Sequence, residues 1–334
     1  MTQDPSELAR VLSHYNTGVV RQITPIRRGA GGSIKWAVLC EQGPMLLRRR
    51  PQGVDEQTLA MSRKLQVQAA TQGVPIPKPI ALRAGAEMLR LDGRLYEMAR
   101  FVPSAGFDQS VSACRAAGSM LGGLHSMFRN VLQPREGAAD ARGFHRALRV
   151  QTELVGIASA GKAAMGTVTR SLGALYSLAG ERASAAGADQ WPVQIVHGDW
   201  HPGNLLFDGP TVVGVLDFDS IRIAPRAFEV AYGALQFSLK KGEGSPDLWP
   251  HEADLDRLRE FVRGYESTAE SVLSRAEVAG MVWLMIEALI AEAVGPIAQS
   301  GEFGGIDGKR MLKMIENKAG WLRDNQSEIS LRLG

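Results

Sequence analysis

Two short apolar runs, Val193 to Val196 and Leu205 to Phe207, flank His197-Gly198-Asp199-Trp200-His201-Pro202-Gly203-Asn204, and a third, Thr211 to Leu216, ends at Asp217-Phe218-Asp219. No other feature limits the fold so strongly. The runs have the length and composition of strands. Pro202-Gly203 prevents a regular helix between the first two, and Asp208-Gly209-Pro210 supplies the turn before the third. The polar side chains therefore stand on a loop carried by a strand, and the hairpin that follows is expected to bring Asn204 and Asp217 together. Loops on such scaffolds carry chemistry. A histidine, three carboxylates and an asparagine around one hairpin serve no core purpose.

The chain of 334 residues is long enough for two lobes, and its 45% hydrophobic and 22% charged residues are ordinary globular values. A formal net charge of +3 gives no general affinity for nucleic acid. Cys40 and Cys114 show no paired spacing, so neither a disulfide framework nor a cysteine metal site is expected. The Met-Thr-Gln-Asp-Pro start lacks secretory character. The apolar stretch from Met281 to Ala298 is broken by Glu287, Glu292 and Pro296, which lipid disfavours. These features lead to the expectation of a soluble cytoplasmic protein without a nucleic-acid or membrane partner.

Asp4-Pro5-Ser6-Glu7 starts a short helix to about Tyr15. Strands are expected over Val19 to Ile26, Ile34 to Cys40 and Met45 to Arg50, then near Ile80 to Arg83 and Arg94 to Val102, with a helix from Asp55 to Gln72 between them. Beyond Pro103 the texture becomes helical: Ser110 to Phe128, Ala141 to Ala158, Lys162 to Ala186, Ala227 to Leu239, Glu252 to Ser267, Arg275 to Ala298 and Lys309 to Asn325. The order predicts a bilobal α+β protein, with a strand-rich part over residues 1–99, a helical part over 100–334 and a connection near 97–103.

Phosphoryl transfer from a nucleotide needs a divalent cation on the phosphate oxygens, hard oxygen ligands for it, and a group that orients the acceptor hydroxyl. Asn204 offers an amide oxygen, Asp217 an anionic ligand, and Asp199 a carboxylate five positions before Asn204. His197, grouped with Asp199 in the catalytic loop, is expected to brace it. A competing reading takes His197, Asp199 and His201 as ligands of a hydrolytic metal centre.

H-G-D-x-x-x-x-N followed by an apolar strand and L-D-F-D resembles the aminoglycoside phosphotransferase and choline kinase-like family. The resemblance implies a protein-kinase-like fold, with an antiparallel-sheet N-lobe and a mostly helical C-lobe, and an ATP- and Mg2+-dependent transfer to a hydroxyl of a small molecule. By that resemblance Asp199 matches the catalytic base, Asn204 and Asp217 the magnesium ligands, and Asp219 a commonly acidic position. The intact Asp199, Asn204 and Asp217 speak against a catalytically silent nucleotide-binding protein.

Gly29-Ala30-Gly31-Gly32-Ser33 allows close backbone approach to phosphate, with Gly31, Gly32 and Ser33 as contacts. In Met45 to Arg50, period two puts Leu46, Arg48 and Arg50 on one face and Leu47 and Arg49 on the other. Arg48 resembles the basic third-strand position that meets the phosphates, while Arg49 and Arg50 read as a solvated strand end. The family's acid on the following helix is not matched, because Ser62, Arg63 and Lys64 occupy that stretch and Glu56 lies near the helix start. The segment around Glu97 and Met98 resembles the connection whose backbone meets the purine. For the acceptor, Glu287 or Glu292 is expected to receive a cationic group, Trp200 to form an apolar wall, and Arg222 or Arg226 to meet an acid or neutralise neighbouring carboxylates. The class of small alcohol stays open among aminoglycoside, amino alcohol, hydroxy amino acid and sugar.

Overall fold

The computed structural model describes residues 5–26, 33–53, 55–129, 145, 147–160 and 163–334. The protein is α+β, with an N-terminal antiparallel sheet and a helical C-terminal part. It divides into two compact units: Met1–Ala105 with Val213–Asp219, and Gly106–Val212 with Ser220–Gly334.

The first unit contains α1 (Pro5–Ser13), β1 (Val20–Ile26), β2 (Ile34–Cys40), β3 (Gly43–Arg49), α2 (Glu56–Thr71), β4 (Met88–Leu91) and β5 (Arg94–Arg100). The strands form one antiparallel sheet in the order β1-β2-β3-β5-β4. Alternation decides its faces. Trp36, Val38, Met45, Leu47, Tyr96 and Met98 form a core with Leu8, Val11 and Leu12 of α1. The opposite face carries two rows set by the register: Ala37, Leu46 and Ala99, then Lys35, Arg48 and Glu97. Arg49, on the core side, pairs with Glu7 of α1 at 2.9 Å and lies over the Trp36 ring.

Three expectations need correcting here. Ile80 to Arg83 is no strand; the fifth member of the sheet is β4, joined to β5 by Asp92-Gly93, both with positive φ (50° and 71°), the Asp-Gly hairpin turn. Arg50 is not a solvated strand end, for it is 5% exposed and held by carboxylates described below. Glu97 and Met98 do not form the connection between the units. They lie inside β5, where Glu97 faces Arg48 and Met88, and the Met98 carbonyl accepts the Ile80 N–H at 2.8 Å. The Met98 carbonyl is thus committed to Ile80.

The second unit contains α3 (Val111–Arg129), α4 (Leu148–Ala160), α5 (Ala163–Ala185), β6 (Val193–Val196), β7 (Leu205–Asp208), β8 (Thr211–Val215), which runs on into the first unit, β9 (Arg222–Pro225), α6 (Arg226–Ser238), α7 (Leu255–Thr268), α8 (Arg275–Ser300), β10 (Glu302–Phe303), β11 (Ile306–Asp307), α9 (Gly308–Asp324) and α10 (Gln326–Leu333). β6 pairs antiparallel with β9. α3 and α7 approach closely through glycine: a Cβ on Gly118 would stand 1.9 Å from the Phe261 carbonyl oxygen, and one on Gly264 2.0 Å from that of Arg115. α8 starts at a capping box of Ser274 and Glu277. By length and composition it could cross a membrane, but 78% of its most apolar window is buried inside the protein, the pattern of a core helix.

Candidate active site

The loop after β6 is fixed through its backbone. Gly198 has φ +84°, and a Cβ there would lie 2.0 Å from the Ser220 carbonyl oxygen, so both conformation and space demand glycine. Glu229 of α6 accepts the His197 N–H at 2.9 Å and the Gly198 N–H at 2.5 Å, and its Oε2 lies 2.8 Å from Nε2 of His125. Burial raises the Glu229 carboxyl, yet the His125 bond and the charges of His125, His197 and Arg222 overcome this and hold it below the usual range. The sequence reading missed Glu229, because a carboxylate serving backbone amides 31 and 32 residues away leaves no motif.

Asn204 donates through Nδ2 to the Asp199 carbonyl at 2.9 Å and to Asp199 Oδ2 at 2.8 Å. The same Oδ2 lies 3.5 Å from His201 Nε2, and His201 Nδ1 accepts the Gly203 N–H at 3.0 Å. A neutral His201 with Nδ1 accepting carries its hydrogen on Nε2, toward Asp199. Burial raises the Asp199 carboxyl, but hydrogen bonding and charge from His201, together with Asn204 and His197, hold it below its ordinary value. The result is an ionised, oriented carboxylate that solvent still reaches, with 35% of its side chain exposed.

His197 is fully buried, its Nδ1 accepts the Asp199 N–H at 3.3 Å, and its ring meets Trp200 edge-on. Its ring thus contacts the loop that carries Asp199. Trp200 is 0% exposed and offers no wall to a substrate. Glu287 is likewise fully buried, 2.6 Å from His145 Nδ1, so it belongs to the core rather than to a pocket. Arg226 is bound to Glu277 and the Ser271 and Val272 carbonyls. Arg222 stands beside Gly198, where its charge helps hold the Glu229 carboxyl down. His197, Asp199 and His201 do not assemble as the hydrolase reading requires: among the described residues no group of three His, Cys, Asp or Glu is placed to hold a metal ion.

Glu292 of α8 is exposed, with Tyr232, Gln236, Asp199 and His201 acting on its carboxyl. Gln236 donates to its Oε2 at 2.6 Å, and Tyr232 also bonds it. Burial, opposed by His201 and aided by the charge of Asp199, pushes its carboxyl up to about 7.

In the first unit, Arg48 Nε donates to Ser33 Oγ at 3.0 Å, while Nη2 reaches Asp219 Oδ2 at 2.7 Å and Asp217 Oδ1 at 3.4 Å. Arg50 bridges Asp219 at 2.8 Å and Glu97 at 3.0 Å, and Arg63 of α2 adds a contact to Glu97 at 2.5 Å. The acid beside the third-strand cation thus comes from β5, and α2 supplies a base. Gly31 and Gly32, and the Glu56 side chain, lie outside the described residues. Asp217 has φ +59°, a region that aspartate enters more readily than most residues. Burial raises its carboxyl, with Arg48 opposing and Asp219 adding to the rise; Asp219 is held low by Arg48 and Arg50 against its own burial.

The family model described as the phosphotransferase enzyme family, APH, matches residues 22–280. The chain belongs to this family. Proteins named homoserine kinase are similar to it: one from Methylocella silvestris is 27% identical over 64% of this chain and 63% of its own length, and one from Methylorubrum populi is 26% identical over 82% and 79%. The chain thus spans a little under two thirds of the Methylocella protein. The solved structure of a microcompartment-associated aminopropanol kinase superposes with a TM-score of 0.72 at 15% identity, covering 99% of this chain and 100% of that one. The architecture is accordingly the protein-kinase-like fold of the phosphotransferase family.

Proposed function

We propose that this phosphotransferase-family protein transfers the γ-phosphoryl group of ATP to the hydroxyl of a small, amine-bearing alcohol in the cytoplasm. The observation carrying the reading is the Asp199 carboxylate, kept ionised and aimed by Asn204 and His201 while open to solvent. Such a group orients an alcohol and accepts its proton as the oxygen bonds to phosphorus and ADP leaves. His197 and Glu229 act on the backbone that carries Asp199.

The donors suit magnesium. Asn204 uses Nδ2 toward Asp199, leaving its amide oxygen as an acceptor, and Asp217 offers a carboxylate. By the family pattern each would be a ligand of the ion. Two hard oxygen donors fit a cation shared with phosphates and water better than an all-protein cage. Bound there, magnesium would neutralise charge on the phosphate oxygens.

For the acceptor, the Glu292 carboxylate, which the Asp199 and His201 charges act on, favours an ammonium group, and the kinship to proteins named homoserine kinase and the fold shared with an aminopropanol kinase agree with an amino alcohol or a hydroxy amino acid. The test is ADP release measured with homoserine-like amino acids, aminopropanol-like and choline-like amines, aminoglycosides and neutral sugars. Stimulation by small amine-bearing alcohols is expected. Stimulation by neutral sugars alone would refute the acceptor class, and none by any alcohol would refute the transfer.

A further inference from the structure

One face of the first unit's sheet is graded. A pocket of about 200 Å³ is lined by Gln22, Thr24, Ala37, Leu39, Pro44 and Phe101. Next to it runs the apolar row Ala37, Leu46 and Ala99, and the charged row Lys35, Arg48 and Glu97 follows on the same face. A recessed apolar floor leading into fixed charge is the order in which a nucleoside and its phosphates meet a surface.

Within the charged row, Arg48 is committed to protein partners through Nε and Nη2. Its guanidinium is bound to Ser33, Asp217 and Asp219 and lies 3.5 Å from Glu97. Arg50 and Arg63 are likewise tied to Glu97, and Arg50 also to Asp219. Lys35 occupies the next place in the row, directly opposite Arg48 and two residues after Ser33. Burial and the Arg48 charge lower its ammonium below the usual lysine value, against the pull of Asp217, Asp219 and Glu97. An ammonium disfavoured in this way gains from an added anion. A compact point charge on a flexible stem also suits phosphate.

We propose that the Lys35 ammonium on β2, rather than the Arg48 guanidinium on β3, is the direct protein cation on the nucleotide's phosphates, and that Arg48 clamps Asp219 and Asp217. The assignment rests on the phosphotransferase reading. Calorimetry on the full chain compares wild type, Lys35→Met and Lys35→Arg with ATP, ADP and adenosine. Lys35→Met should bind ATP and ADP about 10- to 100-fold more weakly and adenosine within about twofold of wild type, with Lys35→Arg recovering part of the loss. In the wild type, ATP should also protect Lys35 from acylation, read by peptide mass spectrometry, where adenosine does not; this decides the matter if the methionine variant fails to fold. Unchanged ATP affinity in Lys35→Met, an equal loss for adenosine, or acylation indifferent to ATP overturns the assignment alone. A wild-type chain that binds neither ATP nor ADP overturns the phosphotransferase reading along with it.

Discussion

Glu229 accepts the backbone N–H of His197 at 2.9 Å, so a buried carboxylate on a helix fixes the strand-to-loop junction from which Asp199 projects. Its second oxygen takes the Gly198 N–H, and His125 supplies a further partner. Glu229→Gln replaces one acceptor oxygen by a donor facing these groups, and should cost about 2–4 kcal/mol of stability. The Glu229 carboxyl is held below its ordinary 4.5. Its contribution is therefore complete above that value and is lost as pH falls through the lower folded-state value. Urea unfolding should show wild type and variant far apart at neutral pH and converging in acid. A constant gap would show that the charge is not what matters.

Asp199→Asn keeps the size and one acceptor for Asn204 but removes the charge. Turnover should fall roughly 10²- to 10⁴-fold with nucleotide affinity nearly unchanged. Single-turnover kinetics beside nucleotide titration separates the two. A parallel loss of ATP binding would remove Asp199 from the role of base.

Gly198→Ala meets two obstacles, the positive φ and the Ser220 carbonyl oxygen 2.0 Å from the new Cβ. Displacing that backbone should cost roughly 2–4 kcal/mol and disturb Asp199 beyond the loss of stability. A thermal melt within a degree of wild type would contradict the crowding.

Local rules made much of this legible. Pro202-Gly203 marks the loop and period two sorts Arg48 and Arg50 from Arg49, because steric limits and strand geometry act over a few residues. Asp92-Gly93 carries an equally local hairpin signal, and it marks β4 and β5 where Ile80 to Arg83 forms no strand. Other features depend on partners that tertiary packing alone provides. Glu97 meets Arg50 across 47 residues and Glu287 meets His145 across 142. A carboxylate on a helix reads the same in sequence whether it faces solvent, a histidine or a backbone amide, so neither Glu229 nor the burial of Glu287 was visible before the fold.

Asp219 joins Arg48 at 2.7 Å to Arg50 at 2.8 Å, with the Arg50 side chain only 2% exposed. Asp219→Asn removes one of the two counter-charges of a buried guanidinium and should destabilise the chain by about 2–4 kcal/mol. Raised salt should not reproduce the loss, because screening acts weakly on buried pairs. Chemical denaturation at low and high salt checks both statements, and a loss under about 0.5 kcal/mol would class the contact with exposed ion pairs.

The proposed acceptor role of Glu292 carries a pH dependence. With the carboxyl pushed up to about 7, protonation removes the negative charge as pH falls through neutrality. The kcat/KM for an amine-bearing alcohol should then decline below pH 7 through KM, while a neutral alcohol accepted by the same enzyme shows no such change. Glu292→Gln should abolish that difference and raise KM for the amine by about tenfold. Stability responds in a related way. A carboxyl raised in the folded state contributes fully below its ordinary 4.5 and loses that contribution as pH rises through the folded value. Glu292→Gln should therefore melt above wild type in alkali and draw level in acid. The two profiles separate a carboxylate that meets the ammonium from one that does not: the second would reproduce the melting pattern and leave the amine KM unmoved.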